Sequence, residues 1–275
     1  MKAWLYLVFA FSLPALAEPA VVQPAQVPAP VWKTFQSATG GAQAGTIERS
    51  DEDGDVVYDV TFTAKTGGER HVSIAQDGKL LSLEMQMEDV PPPVKKTITE
   101  QIADGTLQGI EKTTDGDAPA YDVDFTLKAG GDRSLSIAED GTLLSREVSL
   151  EEAPAEVQKT IKTQIAGGEL GRIDQTFDAG EVTFDVEYAD KSGKGTAFSV
   201  APSGKLLSVD VDLKDTPAEV QQTIKDKVGA GKVTGVSKVF GAKKGAVHYE
   251  VQSEVDGKPL DFRVGAKGKF LGTDP

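Results

Sequence analysis

The motif V-x-x-T-[IF] occurs four times, at Val31 to Phe35, Val94 to Ile98, Val157 to Ile161 and Val220 to Ile224, and each step is 63 residues. Pro28, Pro91, Pro154 and Pro217 precede it at the same period. An aromatic–acid–valine triplet recurs as Tyr58-Asp59-Val60, Tyr121-Asp122-Val123, Phe184-Asp185-Val186 and Tyr249-Glu250-Val251. A turn leading into two apolar residues recurs at Gly78, Gly141, Gly204 and Gly268, ending in Leu80-Leu81, Leu143-Leu144, Leu206-Leu207 and Phe270-Leu271. The last copy drifts by two residues at Tyr249 and by one at Gly268. A fixed period of this length demands one supersecondary unit built four times, which constrains the fold more than any local propensity.

Within a unit the hydrophobic period changes once. Val94, Ile98 and Ile102 fall at i, i+4 and i+8, as do Val157, Ile161 and Ile165, and Val220, Ile224 and Val228. That spacing makes one apolar stripe on a helix. The proline fits just before the helix or in its first turn, where an N–H is not needed. Glycines at Gly105, Gly167-Gly168 and Gly229 are expected to end the helices. Tyr121, Val123 and Phe125 then alternate with Asp122 and Asp124, and Leu135 and Ile137 alternate with Ser134 and Ser136. Such alternation predicts strands with one buried and one wet face. Arg146 breaks the pattern in the last strand of its unit. Asp77-Gly78 and Asp140-Gly141 predict tight hairpin turns.

The expected fold class is therefore α+β: tandem repeats of one helix packed on a four-stranded antiparallel sheet. The expected repeats span residues 29–91, 92–154, 155–217 and 218–275, the last with a truncated final strand. A unit of about 60 residues is marginal alone, so neighbours are expected to pack together. Unit one has the weakest helix, with Gly40-Gly41 close behind Phe35.

The N-terminus reads as an address. Lys2, the apolar run from Trp4 to Leu13 and the A-x-A site at Ala15-Leu16-Ala17 predict a signal peptide over residues 1–17. The run is too short for a comfortable membrane span of about 20 residues. Cleavage there leaves no cysteine for a lipid anchor, and the mature chain is expected in a periplasm or outside the cell. Residues 18–28, with Pro19, Pro24 and Pro28 among Ala, Val and Gln, read as an extended spacer.

Composition narrows the chemistry. Forty-three acidic against 29 basic residues give a net charge of −14, which argues against nucleic acid or an anionic membrane as partner. No cysteine is present, so disulfides, thiolate metal sites and cysteine nucleophiles are excluded. His71 and His248 lie in different repeats and read as strand residues. Asp51-Glu52-Asp53-Gly54-Asp55 resembles a calcium loop, but Val56 and Phe62 stand where an EF-hand needs Gly and Glu. A solvated turn fits it better. No cofactor and no metal site is expected.

The ordered motifs P-x-x-V-x-x-T-I, Y-[DE]-V and D-G-x-L-L, carried best by Pro91 to Leu144 and Pro154 to Leu207, resemble the PepSY-like family, also described as β-lactamase-inhibitor-like. The resemblance covers about residues 28–275. It implies a helix over an antiparallel sheet, an extracytoplasmic location and non-catalytic binding. Related domains restrain secreted peptidases or clasp a β-lactamase, which makes inhibition of an extracytoplasmic hydrolase the most concrete version.

The candidate site follows from the alternation. Asp59, Asp122, Asp185 and Glu250 sit between buried aromatics and valines, so they point away from the core. Asp124 and Glu187 lie two residues on, on the same face, and Ser73, Ser136 and Ser199 should share it. Solubility and protection of exposed sheet is the simplest role for these acids. The sharper expectation is one acidic surface across the repeats for an extracytoplasmic protein with a basic surface. A regular ladder on a flat sheet lacks the cleft and fixed separation of a glycosidase carboxylate pair, so no enzyme is expected. An envelope spacer and a weak cation binder are the alternatives.

Overall fold

Each helix begins directly after its proline and buries the predicted stripe. In this computed structural model, which describes residues 19–52, 55–65, 67–114, 118–241 and 245–273, the helices are α1 (Ala29–Ala38), α2 (Pro92–Ile102), α3 (Ala155–Ile165) and α4 (Ala218–Val228). Val31, Phe35, Val94, Ile98, Val157, Ile161, Val220 and Ile224 are all 1% exposed or less. The expected signal peptide, residues 1–17, lies outside the described residues.

The chain divides into two compact units between Glu147 and Val148. In the first, the strands are β1 (Ala20–Val21), β2 (Ala44–Glu52), β3 (Asp55–Thr63), β4 (Glu69–Ala75), β5 (Leu80–Met85), β6 (Thr106–Thr113), β7 (Ala120–Thr126), β8 (Asp132–Ala138) and β9 (Leu143–Glu147). In the second they are β10 (Glu169–Asp178), β11 (Glu181–Ala189), β12 (Gly195–Val200), β13 (Leu206–Asp210), β14 (Lys232–Phe240), β15 (Val247–Val255), β16 (Lys258–Pro259), β17 (Phe262–Gly265) and β18 (Phe270–Thr273). All described pairings are antiparallel.

The observed fold class differs from the expected one. The chain is not four modules, each with a helix on its own four-stranded sheet. Within the first unit β5 pairs with β6, joining Ser82 to Thr113 and Met85 to Ile110, so nine strands form one continuous sheet. In the second unit β13 pairs with β14 through Ser208–Val239 and Asp210–Ser237. The physical reason is the edge. A four-stranded module would leave a row of N–H and C=O groups on its last strand, and pairing with the next repeat satisfies them. Alternation reports which way a side chain points and is silent on which strand lies alongside.

Among the described residues, four hydrophobic clusters form, each around one of the helices. The second combines Val94 and Ile98 of α2 with Ile110, Tyr121, Val123, Leu135 and Ile137. The third combines Val157 and Ile161 with Ile173, Phe184, Val186, Phe198 and Val200. The helix and the D-G turn, which the sequence presents as separate motifs, are one joint. Thr34, Thr97, Thr160 and Thr223 each donate their hydroxyl to the carbonyl of Gly78, Gly141, Gly204 or Gly268, at 2.6–2.7 Å. Each bond contributes about 1 kcal/mol. These glycines have φ between +75° and +93°, and a Cβ on any of them would lie within 3.0 Å of the first helical turn's backbone. A shallow depression of 460 Å³, lined by Pro30, Thr34, Asp77 and Gly78 among others, is the solvent side of this joint in the first repeat.

Three local details differ from expectation. First, α2 and α3 end on alanines in the left-handed region, Ala103 (φ 48°) and Ala166 (φ 42°), while α4 ends on Gly229. Gly168 serves close packing instead, since its Cβ would lie 2.3 Å from the Ala189 carbonyl oxygen. Second, the strands after the D-G turns carry a bulge. Ser136 pairs with Ser145 while Ile137 pairs with Leu143, leaving Leu144 as the extra residue. The bulge restores Arg146 to the register of Leu135. Third, the proline-rich stretch is held against the first sheet. β1 pairs with β2, the Trp32 indole donates to the Pro24 carbonyl at 3.0 Å, and Val27 is buried.

Candidate partner-binding face

Because one face of each sheet packs on helices, the other is built only from the alternate residues. In the first unit the strand register lays one row across it. Thr61 stands opposite His71, Glu84 opposite Glu111, Glu111 opposite Asp122, Asp122 opposite Ser136 and Ser136 opposite Ser145. The His71 N–H donates to Glu84 Oε2 at 3.1 Å, which joins the row where β4 and β5 part. Asp59 lies in a neighbouring row between Glu48 and Ser73. Asp124 is exposed, between Gly109 and Ser134.

The central acids are partly engaged inside the sheet. Asp59 accepts a hydrogen bond from Ser73, and Asp122 accepts one from Thr113 at 3.0 Å. Asp185 accepts from Ser199 at 2.5 Å and from Thr176 at 2.7 Å. Each such carboxylate clips adjacent strands together on the wet face, a role beyond the solubility and sheet protection expected from the sequence. All three are half-buried.

The second unit places Asp174, Asp185 and Glu187 near one another on β10 and β11. Arg172 forks on Asp174 through Nε at 2.6 Å and Nη2 at 2.8 Å. Burial pushes the Glu187 carboxyl above its ordinary range, the Asp174 charge adds to this, and Arg172 opposes it. Glu250 lies 3.2 Å from His248 Nε2, and its register partners are Ser237 and Arg263.

Sequence reasoning missed Glu84 and Glu111. Each follows a core residue, Leu83 or Ile110, so alternation carried through the bulge at Leu81 would have found both. No group of three or more His, Asp and Glu side chains is arranged to hold a metal ion among the described residues. Asp53 and Gly54, at the centre of the calcium-loop-like stretch, lie outside them. No helix among the described residues is long and apolar enough to cross a membrane.

No family model matches the chain, and no curated protein matches it. Solved structures do show likeness. A periplasmic protein of Bacteroides thetaiotaomicron, described as calcium-regulated, is 16% identical, covering 48% of this chain and 97% of that one at a TM-score of 0.31. A DUF2874 family protein of Bacteroides ovatus is 16% identical over 44% of this chain and 86% of that one, with a TM-score of 0.33. A BLIP-like protein of Bacteroides fragilis is 13% identical over 44% of this chain and 85% of that one, also at 0.33.

Proposed function

We propose that this chain is an extracytoplasmic, non-catalytic binding protein of four PepSY-like repeats, engaging a protein with a basic surface through the helix-free face of its sheets. The observation that carries this reading is the register. Asp59, Asp122, Asp124, Asp185, Glu187 and Glu250 all fall on the side away from the helices, and Glu84 and Glu111 join them. Repeated modest contacts on one chain add by avidity. A regular face of this kind suits recognition of a surface rather than enclosure of a small substrate. The signal-like N-terminus and the family resemblance support the location, and the resemblance makes restraint of a hydrolase the most concrete version. The hydroxyl-clipped Asp59, Asp122 and Asp185 favour a second role in holding the sheet together, which is compatible with binding.

The test is capture by the chain lacking residues 1–17 from its own extracytoplasmic fraction. One protein retained at low salt and released at high salt is expected, because contacts between exposed charges are screened. Capture of nothing, or capture indifferent to salt, contradicts the reading. An activity assay on the captured protein then decides whether it is a restrained hydrolase.

A further inference from the structure

We infer that the N-terminal strand β1 is a removable cap on the first sheet, and that the edge beneath it takes β18 of a second copy of this chain. The inference is independent of the acidic face. Within each unit the repeats join in one way: the last strand of one pairs with the first strand of the next. Ser82, Leu83 and Glu84 of β5 face Thr113, Lys112 and Glu111. Two periods further on, Ser208, Val209 and Asp210 of β13 face Val239, Lys238 and Ser237 in the same register. β2 presents this same first-strand edge, but its cover is slight. Ala20 and Val21 face Arg49 and Glu48, and the Val22 N–H donates to the Ile47 carbonyl at 2.9 Å. β1 has two residues, both exposed, where β5 has six and β13 has five. On the repeat's register, Ala20 holds the place of Leu83 and Val209.

The complementary edge lies on β18. Phe262 faces Thr273 as Phe198 faces Val209, and Val264 faces Phe270 as Val200 faces Leu206. Thr273 therefore also stands where Val209 does. Among the described residues, β18 pairs with β17 alone. An exposed strand edge is a template for another strand. Leu271 shows the difference that pairing makes. It is 48% exposed, whereas its counterparts Leu81 and Leu207, beside paired edges, are half-buried. The other large apolar side chain left exposed among the described residues is Val21, on β1, at 65%. Ala20 and the Thr273 of a second copy thus compete for one place, opposite Arg49. The contact is heterologous, so it builds rings or open series of copies rather than a closed pair.

The test is disulfide trapping, which the absence of native cysteine makes clean. Chains lacking residues 1–17 and carrying either Arg49→Cys or Thr273→Cys are mixed and mildly oxidised. Opposed residues of a hydrogen-bonded antiparallel pair have Cα atoms about 5.5 Å apart, within disulfide range. Mixed dimers joined through positions 49 and 273 are expected to exceed the two like dimers together, which random collision does not produce. Adding Val22→Pro to the Arg49→Cys chain removes the N–H that holds β1 on Ile47. It is expected to raise the mixed yield about fivefold, the effect of one lost hydrogen bond. Should Val22→Pro loosen the first repeat, a chain starting at Val22 carries the comparison, since it loses β1 and keeps the partly buried Val22. Random proportions of the three dimers with β1 both in place and released overturn the inference. So does a mixed yield that release of β1 leaves unchanged.

Discussion

Gly141→Ala is expected to destabilise the first unit by about 2–5 kcal/mol, whereas Gly130→Ala costs about 1–2 kcal/mol. The two glycines have nearly the same backbone conformation, φ +88° and +89°. Each substitution forces an L residue into the left-handed region, and that part of the penalty is common to both. Only Gly141 faces a neighbour. Its Cβ would lie 2.8 Å from the backbone carbon and oxygen of Pro93, whereas nothing lies within 4 Å of a Cβ on Gly130. Relief of the clash must push α2 away from the sheet, which loosens the packing of Val94 and Ile98 and lengthens the bond from Thr97. Urea denaturation of the two variants measures the difference. Equal losses would show that the turn, not the joint with the helix, is what the glycine serves.

The second expected result concerns cooperativity. Ile98→Ala removes a fully buried side chain from the second repeat and is expected to cost about 2–5 kcal/mol. Trp32 lies in the first repeat and is the only tryptophan of residues 18–275. Because β5 and β6 pair, the two repeats share one sheet, and loss in one should propagate to the other. The Trp32 fluorescence midpoint should therefore fall by about 1–2 M urea. A midpoint unchanged at Trp32, with a separate earlier transition by circular dichroism, would mean that the repeats unfold independently and that the β5–β6 pairing is energetically minor.

How far the sequence could be read depends on the range of each interaction. The helix stripes were legible because Val94 and Ile98 obey a local spacing, and the outward direction of Asp122 was legible because its neighbours Tyr121 and Val123 obey another. The pairing of Leu83 with Lys112 was not, since strand neighbours 29 positions apart leave no local period. The docking of the N-terminal stretch was hidden by its proline-rich composition, yet the repeat itself contained the signal. Val22, Val148 and Val211 lie on the 63-residue period, and their N–H groups donate to Ile47, Ile173 and Val236 in equivalent bonds of 2.9 Å. The short β1 thus takes the place that the end of a preceding repeat's last strand would fill. Among the site residues, the sequence placed the face of Asp59, Asp185 and Glu250 but not their partners. The clips from Ser73 and Thr176 depend on which strands lie side by side and in what register, which the spacing within one strand does not carry.

The helix-free face is expected to meet the partner. Carboxyl labelling of the captured complex, read by mass spectrometry residue by residue, tests it most directly. The exposed Glu111 and Asp124, with Glu84 and Asp122 beside them, should lose reactivity on binding. Glu100, Glu156 and Asp226, exposed on α2, α3 and α4, should label as in the free chain. Protection of the helix acids with the sheet acids still reactive would contradict the account and place the partner on the opposite side.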